Sequence, residues 1–227
     1  MELVIGNKLF SSWSLRPWMV LAAFDIPFKE TIVALRLPDS SARIRAHSPS
    51  GKVPVLIDGD VVVWESLAII EYLAERHPAL AIWPEDAKAR AHARAISSEM
   101  HAGFQALRQA CSMNLGKRFA PKDRGAAANA DIARVLALWA DARARFGTGG
   151  PFLYGAFSAA DAMYAPVVMR FETYQIAVDA GTRRYMDAVL THPAFVRWRT
   201  EALAETWVID ALEAGETVVD VFLKPAP

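Results

Sequence analysis

The segment Lys52–Tyr72, KVPVLIDGDVVVWESLAIIEY, decides the fold. Val53 to Ile57 is a short β-rich run, Asp58-Gly59-Asp60 is a turn signal, and Val61 to Trp64 is a second run, so the spacing predicts a hairpin. Glu65-Ser66 then leads into Leu67, Ile69, Ile70 and Leu73, apolar positions at helical intervals with Ser66 at the helix start. The unit is strand, turn, strand, helix. Pro54 cannot donate a ladder hydrogen bond and belongs at a strand's first residue or on an edge, where backbone groups stay free. With a cis Val53-Pro54 bond the turn would point the Val53 backbone at an extended peptide, and the free N–H groups at the start of the helix suit a carboxylate. The same pattern also fits an ordinary hairpin followed by a capped helix.

Upstream, Glu2–Ile5 is a strand candidate and Gly6-Asn7-Lys8 a turn. Leu15, Trp18, Met19, Leu21, Ala22 and Phe24 predict a helix with Ser14 as its N-cap and Pro17 in its first turn. Ser11 and Ser12 then lie in a loop just ahead of a helix N-terminus. Asp25-Ile26-Pro27 breaks the helix, Phe28–Leu35 alternates as a second strand, and Arg36 to Gly51 reads as an irregular or weakly helical connection. The order βαβ followed by ββα describes an α/β domain over residues 1–78. Residues 79–87 read as a linker that buries Trp83 between domains.

Residues 88–227 read as an all-α bundle. Helices are expected from Lys88 to about Gln109 and from Asp131 to Phe146, the second ended by Gly147-Thr148-Gly149-Gly150-Pro151. No strand leads into that glycine cluster and no Gly-Lys-Ser/Thr follows it, so it is not a phosphate loop. Ser158-Ala159-Ala160-Asp161 is a capping box with Asp in place of the more usual Glu, and further helices are expected over Thr182–Leu190 and from Ala194 to about Trp207.

Lys plus Arg and Asp plus Glu are both 25 in the 227 residues, and no basic run occurs, so neither nucleic acid nor an anionic membrane is an indicated partner. No apolar stretch approaches the roughly 20 residues of a membrane span, and the N-terminus runs into a strand rather than a signal peptide. A cytoplasmic protein with a small-molecule ligand is expected. The lone Cys111 excludes an intrachain disulfide, fits a reducing compartment, and reads as a buried helix residue rather than a nucleophile. His47, His77, His92, His101 and His192 lack ligand spacing, so no metal site is expected, and no serine stands in a G-x-S-x-G elbow. What remains is the serine loop. A hydroxyl beside a positive helix end stabilises a bound anion such as a thiolate, whose free pKa of about 8.5 falls in such surroundings. Spacing alone also fits Ser11 and Ser12 as residues that only cap and turn.

Taken together, four stretches resemble the glutathione transferase superfamily, most closely its serine-type, zeta-like members. They are Phe10-Ser11-Ser12-Trp13-Ser14-Leu15-Arg16, Lys52-Val53-Pro54-Val55-Leu56, Glu65-Ser66-Leu67-Ala68-Ile69-Ile70-Glu71-Tyr72-Leu73 and Phe157-Ser158-Ala159-Ala160-Asp161-Ala162, in the family's order and spanning nearly the whole chain. The resemblance implies a thioredoxin-like N-terminal domain, an all-α C-terminal bundle, a homodimer, and glutathione as cosubstrate in a detoxifying transferase. It implies Ser11 as the activating serine, with Ser12 close enough to compete for the role. Val53, before a cis-Pro54, would pair its backbone with the cysteinyl unit, Glu65 and Ser66 would grip the γ-glutamyl end, and Lys52 would reach the glycyl carboxylate. Zeta members that isomerise maleylacetoacetate carry a Ser-Ser-Cys loop, where this chain has Trp13, and Arg16 and Arg108 are positional candidates for an arginine that holds substrate carboxylates. A second-substrate pocket is expected from Phe10, Trp13, Met100, Phe104, Arg108, Met113 and Asn114, although an apolar helical stripe of this kind also fits a core. The expected activity is thiolate attack on a small, largely apolar electrophile. The competing readings are a maleylacetoacetate-type isomerase and a non-catalytic binder of hydrophobic compounds.

Overall fold

The computed structural model describes residues 1–206 and 215–223. Its first layer is a four-stranded sheet in the order β2-β1-β3-β4, from β1 (Glu2–Ile5), β2 (Lys29–Ile32), β3 (Val55–Asp58) and β4 (Val61–Trp64). β1 and β2 are parallel, with Glu2 opposite Lys29, while β3 runs antiparallel to both β1 and β4 and sets Val55 opposite Val4 and Trp64. Alternation sorts the side chains. Leu3, Ile5 and Leu56 point into the main core with α1 (Ser12–Ala23) and α3 (Ser66–Arg76), and Val4 and Val55 pack on the opposite face with Val33 and Ile44 of α2 (Ser40–Arg45). The hairpin turn falls at Asp58–Asp60 as the sequence predicts, with Gly59 at φ 62°, a conformation glycine adopts without steric cost.

Two local expectations change. β2 is shorter than Phe28–Leu35, because its partner β1 ends at Ile5; beyond Ile32 the chain is held by Val33 N–H to Ile5 O at 2.8 Å and by Leu35 N–H to Asn7 Oδ1 at 2.7 Å. α1 is capped by Ser11 rather than Ser14, since Ser14 Oγ is taken by the Gly6 N–H at 3.0 Å and becomes part of the helix itself. Pro17 is therefore the sixth helical residue, not a first-turn proline.

The second layer is helical. The expected Lys88–Gln109 helix is two, α4 (Ala87–Ala102) and α5 (Gln105–Ala110), broken where Phe104 takes a left-handed φ of 61°. α6 (Ala126–Phe146) starts ahead of Asp131, and α8 (Ala180–Thr191) and α9 (Pro193–Ala202) follow the expected breaks; Trp207 lies outside the described residues. The bundle also carries a two-stranded antiparallel ribbon, β5 (Lys117–Phe119) with β6 (Val218–Val221), which the sequence pattern did not lead us to expect.

α7 (Ala159–Thr173) is the central post of this layer, buried along almost its whole length and packed on α1, α4 and α8. Its capping box forms. The Asp161 carboxylate accepts from Ser158 N–H at 2.9 Å, Ser158 Oγ–H at 3.1 Å and Leu153 N–H at 3.1 Å, which fixes the turn entering the helix. Trp83 is buried against the same core, and the neighbouring Ile82 O accepts from Ala159 N–H at 2.7 Å, tying the connection between the layers to the start of α7.

Candidate active site

A cleft opens where the β3 end of the hairpin meets the start of α3, lined by Trp13, Ser50, Lys52, Val53, Pro54, Glu65 and Ser66. The Val53-Pro54 peptide is cis. Ladder pairing begins only at Val55, and among the described residues the Val53 main chain, at the cleft, has no hydrogen-bonding partner. On the same cleft, Glu65 occupies the N-cap position of α3 at φ 69°, a costly conformation for a residue with a Cβ. Its side chain does not cap the helix and is half exposed. Ser66 is almost fully buried, and its Oγ has no partner among the described residues. The first helical bond to close runs from Ile69 N–H to Glu65 O, which leaves the preceding N–H groups and the positive end of the helix turned toward the cleft. The cleft thus offers peptide-like pairing at Val53, an anion seat at Ser66, a carboxylate for an amine at Glu65 and a cation at Lys52.

Trp13, in the first turn of α1, forms one wall of the cleft, and its surroundings are unusual. The Arg16 guanidinium stacks 4.3 Å from its ring centroid and that of Arg108 stacks 4.5 Å from it, while the His101 ring meets it edge-on at 5.2 Å. Arg16 is fully buried; its Nε donates to Met163 O at 3.0 Å, and its two terminal nitrogens have no hydrogen-bond acceptor among the described residues. Arg170, from α7, is also buried and donates to Cys111 O at 2.7 Å and to Ser12 Oγ at 3.4 Å. Burial, reinforced by mutual repulsion, lowers the pKa of Arg16 and Arg170, the latter to about 10, and burial alone lowers that of Arg108. The three concentrate positive potential behind Trp13 and beside the start of α1.

The two serines sit at that start but do different things. Ser11 Oγ donates to Ser14 Oγ at 2.7 Å and accepts from Ser14 N–H at 3.4 Å, so its hydroxyl caps the helix. Ser12 Oγ accepts from Arg170 and, among the described residues, donates to nothing. Both are over nine-tenths buried, and neither lines the cleft.

Of the residues expected around a second substrate, only Trp13 lines this cleft. Phe10, Met100, Phe104 and Met113 are packed into the core, as an apolar helical stripe usually is. Asn114 is buried with its Oδ1 accepting from Gly116 N–H at 2.8 Å, and Arg108 turns its nitrogens to Gly103 O and Met100 O, closing the α4–α5 break. Cys111 lies just after α5, where burial pushes its thiol up to about 11 and makes it a poor nucleophile. Sequence reasoning missed Ser50, His101 and Arg170. Arg170 had a visible mark, a cation within the otherwise apolar turn Ala165-Pro166-Val167-Val168-Met169-Arg170-Phe171. His101 had none, because its neighbours come from three other elements. Among the described residues no group of three or more His, Cys, Asp or Glu side chains is placed to hold a metal, and no helix is long and apolar enough to cross a membrane.

Known proteins are similar to this chain in sequence and fold. Residues 10–76 match the glutathione S-transferase N-terminal domain and residues 122–207 its C-terminal domain. A maleylacetoacetate isomerase of Pseudomonas aeruginosa is 31% identical over 159 residues, 66% of this chain and 72% of its own length. A probable maleylacetoacetate isomerase of Caenorhabditis elegans is 39% identical over 97 residues, 43% of this chain; the match spans less than half, 45%, of that relative. A crystal structure of a glutathione transferase homolog from Burkholderia, with bound glutathione, superposes with a TM-score of 0.69 at 22% identity, covering 88% of this chain and 97% of the other. Strand order, paired domain matches and a relative aligned along most of its length agree, and the chain belongs to the glutathione S-transferase family.

Proposed function

We propose that the cleft binds glutathione and that the protein transfers its sulfur to a small electrophile. One observation carries this reading: Val53-Pro54 and Glu65-Ser66 line a single cleft, where the Val53 main chain and Ser66 Oγ have no partner among the described residues. In that pose the Val53 backbone pairs with the cysteinyl unit, the γ-glutamyl carboxylate takes the start of α3 and Ser66 Oγ, its amine meets Glu65, and Lys52 reaches the glycyl carboxylate. The sulfur then lies toward Trp13 and the N-terminus of α1. There the helix end, the Ser12 hydroxyl and the arginines behind it favour the thiolate, while Ser11 holds the turn in shape. This gives Ser12, rather than Ser11, the hydrogen bond to sulfur.

Calorimetric titration tests the grip. Glutathione should bind the wild type, and Ser66→Ala should weaken it about tenfold or more, since a hydrogen bond to a charged group is worth about 1.5–3 kcal/mol. kcat should change little, because the interaction is made equally in ground and transition states. Absence of glutathione binding to the wild type would remove the proposal.

A second reading, a glutathione-dependent isomerase of an unsaturated diketo acid, is supported by the guanidiniums gathered at Trp13 and by the names of the relatives. Steady cis-trans conversion without net consumption of glutathione would distinguish it. The working chain is proposed to be a cytoplasmic homodimer of two domains, residues 1–78 and 88–227, with 79–87 between them. Exposed Val61, Val62 and Trp64 on the edge strand β4 are the kind of surface a partner copy covers. Light scattering should return twice the 25.0 kDa of the chain, and a mass near one copy would refute the dimer.

A further inference from the structure

His101 belongs to no part of the glutathione grip just described, yet it touches two residues that do. It stands in the last turn of α4, with Nε2 3.4 Å from Glu65 Oε2 and its ring edge on Trp13. Among the described residues its buried Nδ1 has no partner, and the polar group that meets the imidazole nitrogens at contact distance is the carboxylate of Glu65. We propose that His101 is a positioning residue that competes with the α-amine of glutathione for Glu65, and so sets how tightly the cosubstrate is held as pH changes. This rests on the glutathione reading of the cleft.

Three charged groups face the ring: Glu65 from the turn before α3, Arg16 from α1 and Arg108 from α5. Burial lowers the His101 pKa, Glu65 opposes this, and the two arginines add to the lowering, so the net direction is down from the ordinary value of 6.5. Near neutral pH the ring is therefore uncharged, and the Glu65 carboxylate is left to the ligand's ammonium. When the pH falls through the His101 pKa the imidazolium pairs with Glu65, and two cations then contend for one carboxylate. Binding of glutathione accordingly expels the His101 proton, and affinity must fall as pH falls.

The test is calorimetric titration of S-methylglutathione, whose blocked sulfur carries no proton to release on binding, at about pH 7.5 and about pH 5, on the wild type, His101→Gln and His101→Asn. The wild type should bind several-fold to about tenfold more weakly at the lower pH, the limit being tenfold per pH unit below the pKa of one linked group. Both variants should change less than about twofold, and an S-methylated analogue that also lacks the α-amine should show the same flat response on the wild type. The analogue arm needs no substitution and stands even if a variant misfolds. An equal pH slope in wild type and variants, or an undiminished slope with the analogue, overturns this inference and leaves the glutathione reading intact. A wild type that does not bind glutathione at either pH overturns both.

Discussion

Replacing Asp161 with alanine is expected to lower the unfolding free energy by about 3 kcal/mol, a large share of the stability of an ordinary domain. The carboxylate is fully buried, and burial lifts its pKa to about 6 in spite of the hydrogen bonds that pull the other way. Among the described residues it accepts from three donors, two of them main-chain N–H groups of Leu153 and Ser158 that have no other acceptor there once it is gone. Orphaning a buried donor costs about 1–3 kcal/mol, and the N-terminal turn of α7 loses its cap as well. Ser158→Ala removes only one hydroxyl and should cost about 1 kcal/mol. Equilibrium urea unfolding of the three proteins measures both differences; a loss under about 1 kcal/mol for Asp161→Ala would contradict the capping account. Because α7 carries Arg170 and packs on α1, the damage should also reach the serine loop.

The second large effect concerns rate. Ser12→Ala should reduce kcat/KM with a model electrophile by about tenfold to a hundredfold, the worth of one charge-assisted hydrogen bond to the sulfur. Ser11→Ala should instead lose about 1 kcal/mol of stability through its cap, with a smaller fall in rate. The asymmetry follows from where the protons are directed: Ser11 gives its own to Ser14, while Ser12 receives from Arg170 and has its own to give. Equal losses would mean the helix end alone activates the thiol, and a larger loss for Ser11→Ala would return the role to the residue that family resemblance favours.

How much of this was legible depends on how local each feature is. The hairpin, its turn at Asp58–Asp60 and the helix from Ser66 were readable because a turn signal, two β-branched runs and a helical period follow one another without a gap. The cap of α1 was misplaced because Ser11 and Ser14 are equally good capping residues, and the choice is made by Gly6, whose N–H claims Ser14 Oγ. The ribbon of β5 and β6 joins segments about a hundred residues apart, so nothing near Lys117 announces it; only the β-branched run Val218-Val219-Asp220-Val221 hints at a strand. In the site, Val53, Pro54, Glu65, Ser66, Lys52 and Trp13 were found from the family pattern and do share one cleft. Its other wall was harder to read, because a cluster of Arg16, Arg108, Arg170 and His101 assembled from α1, α4, α5 and α7 has no spacing in sequence. The residues expected around a second substrate came from a helical stripe, and that stripe went to the core.

The most direct measurement of the central claim is the ultraviolet thiolate absorbance of bound glutathione as a function of pH, in the wild type and in Ser12→Ala. The account predicts that the bound thiol titrates well below its free value of about 8.5 in the wild type and moves back toward it in the variant. A bound thiol that titrates as it does in water would contradict the placement of its sulfur at the N-terminus of α1.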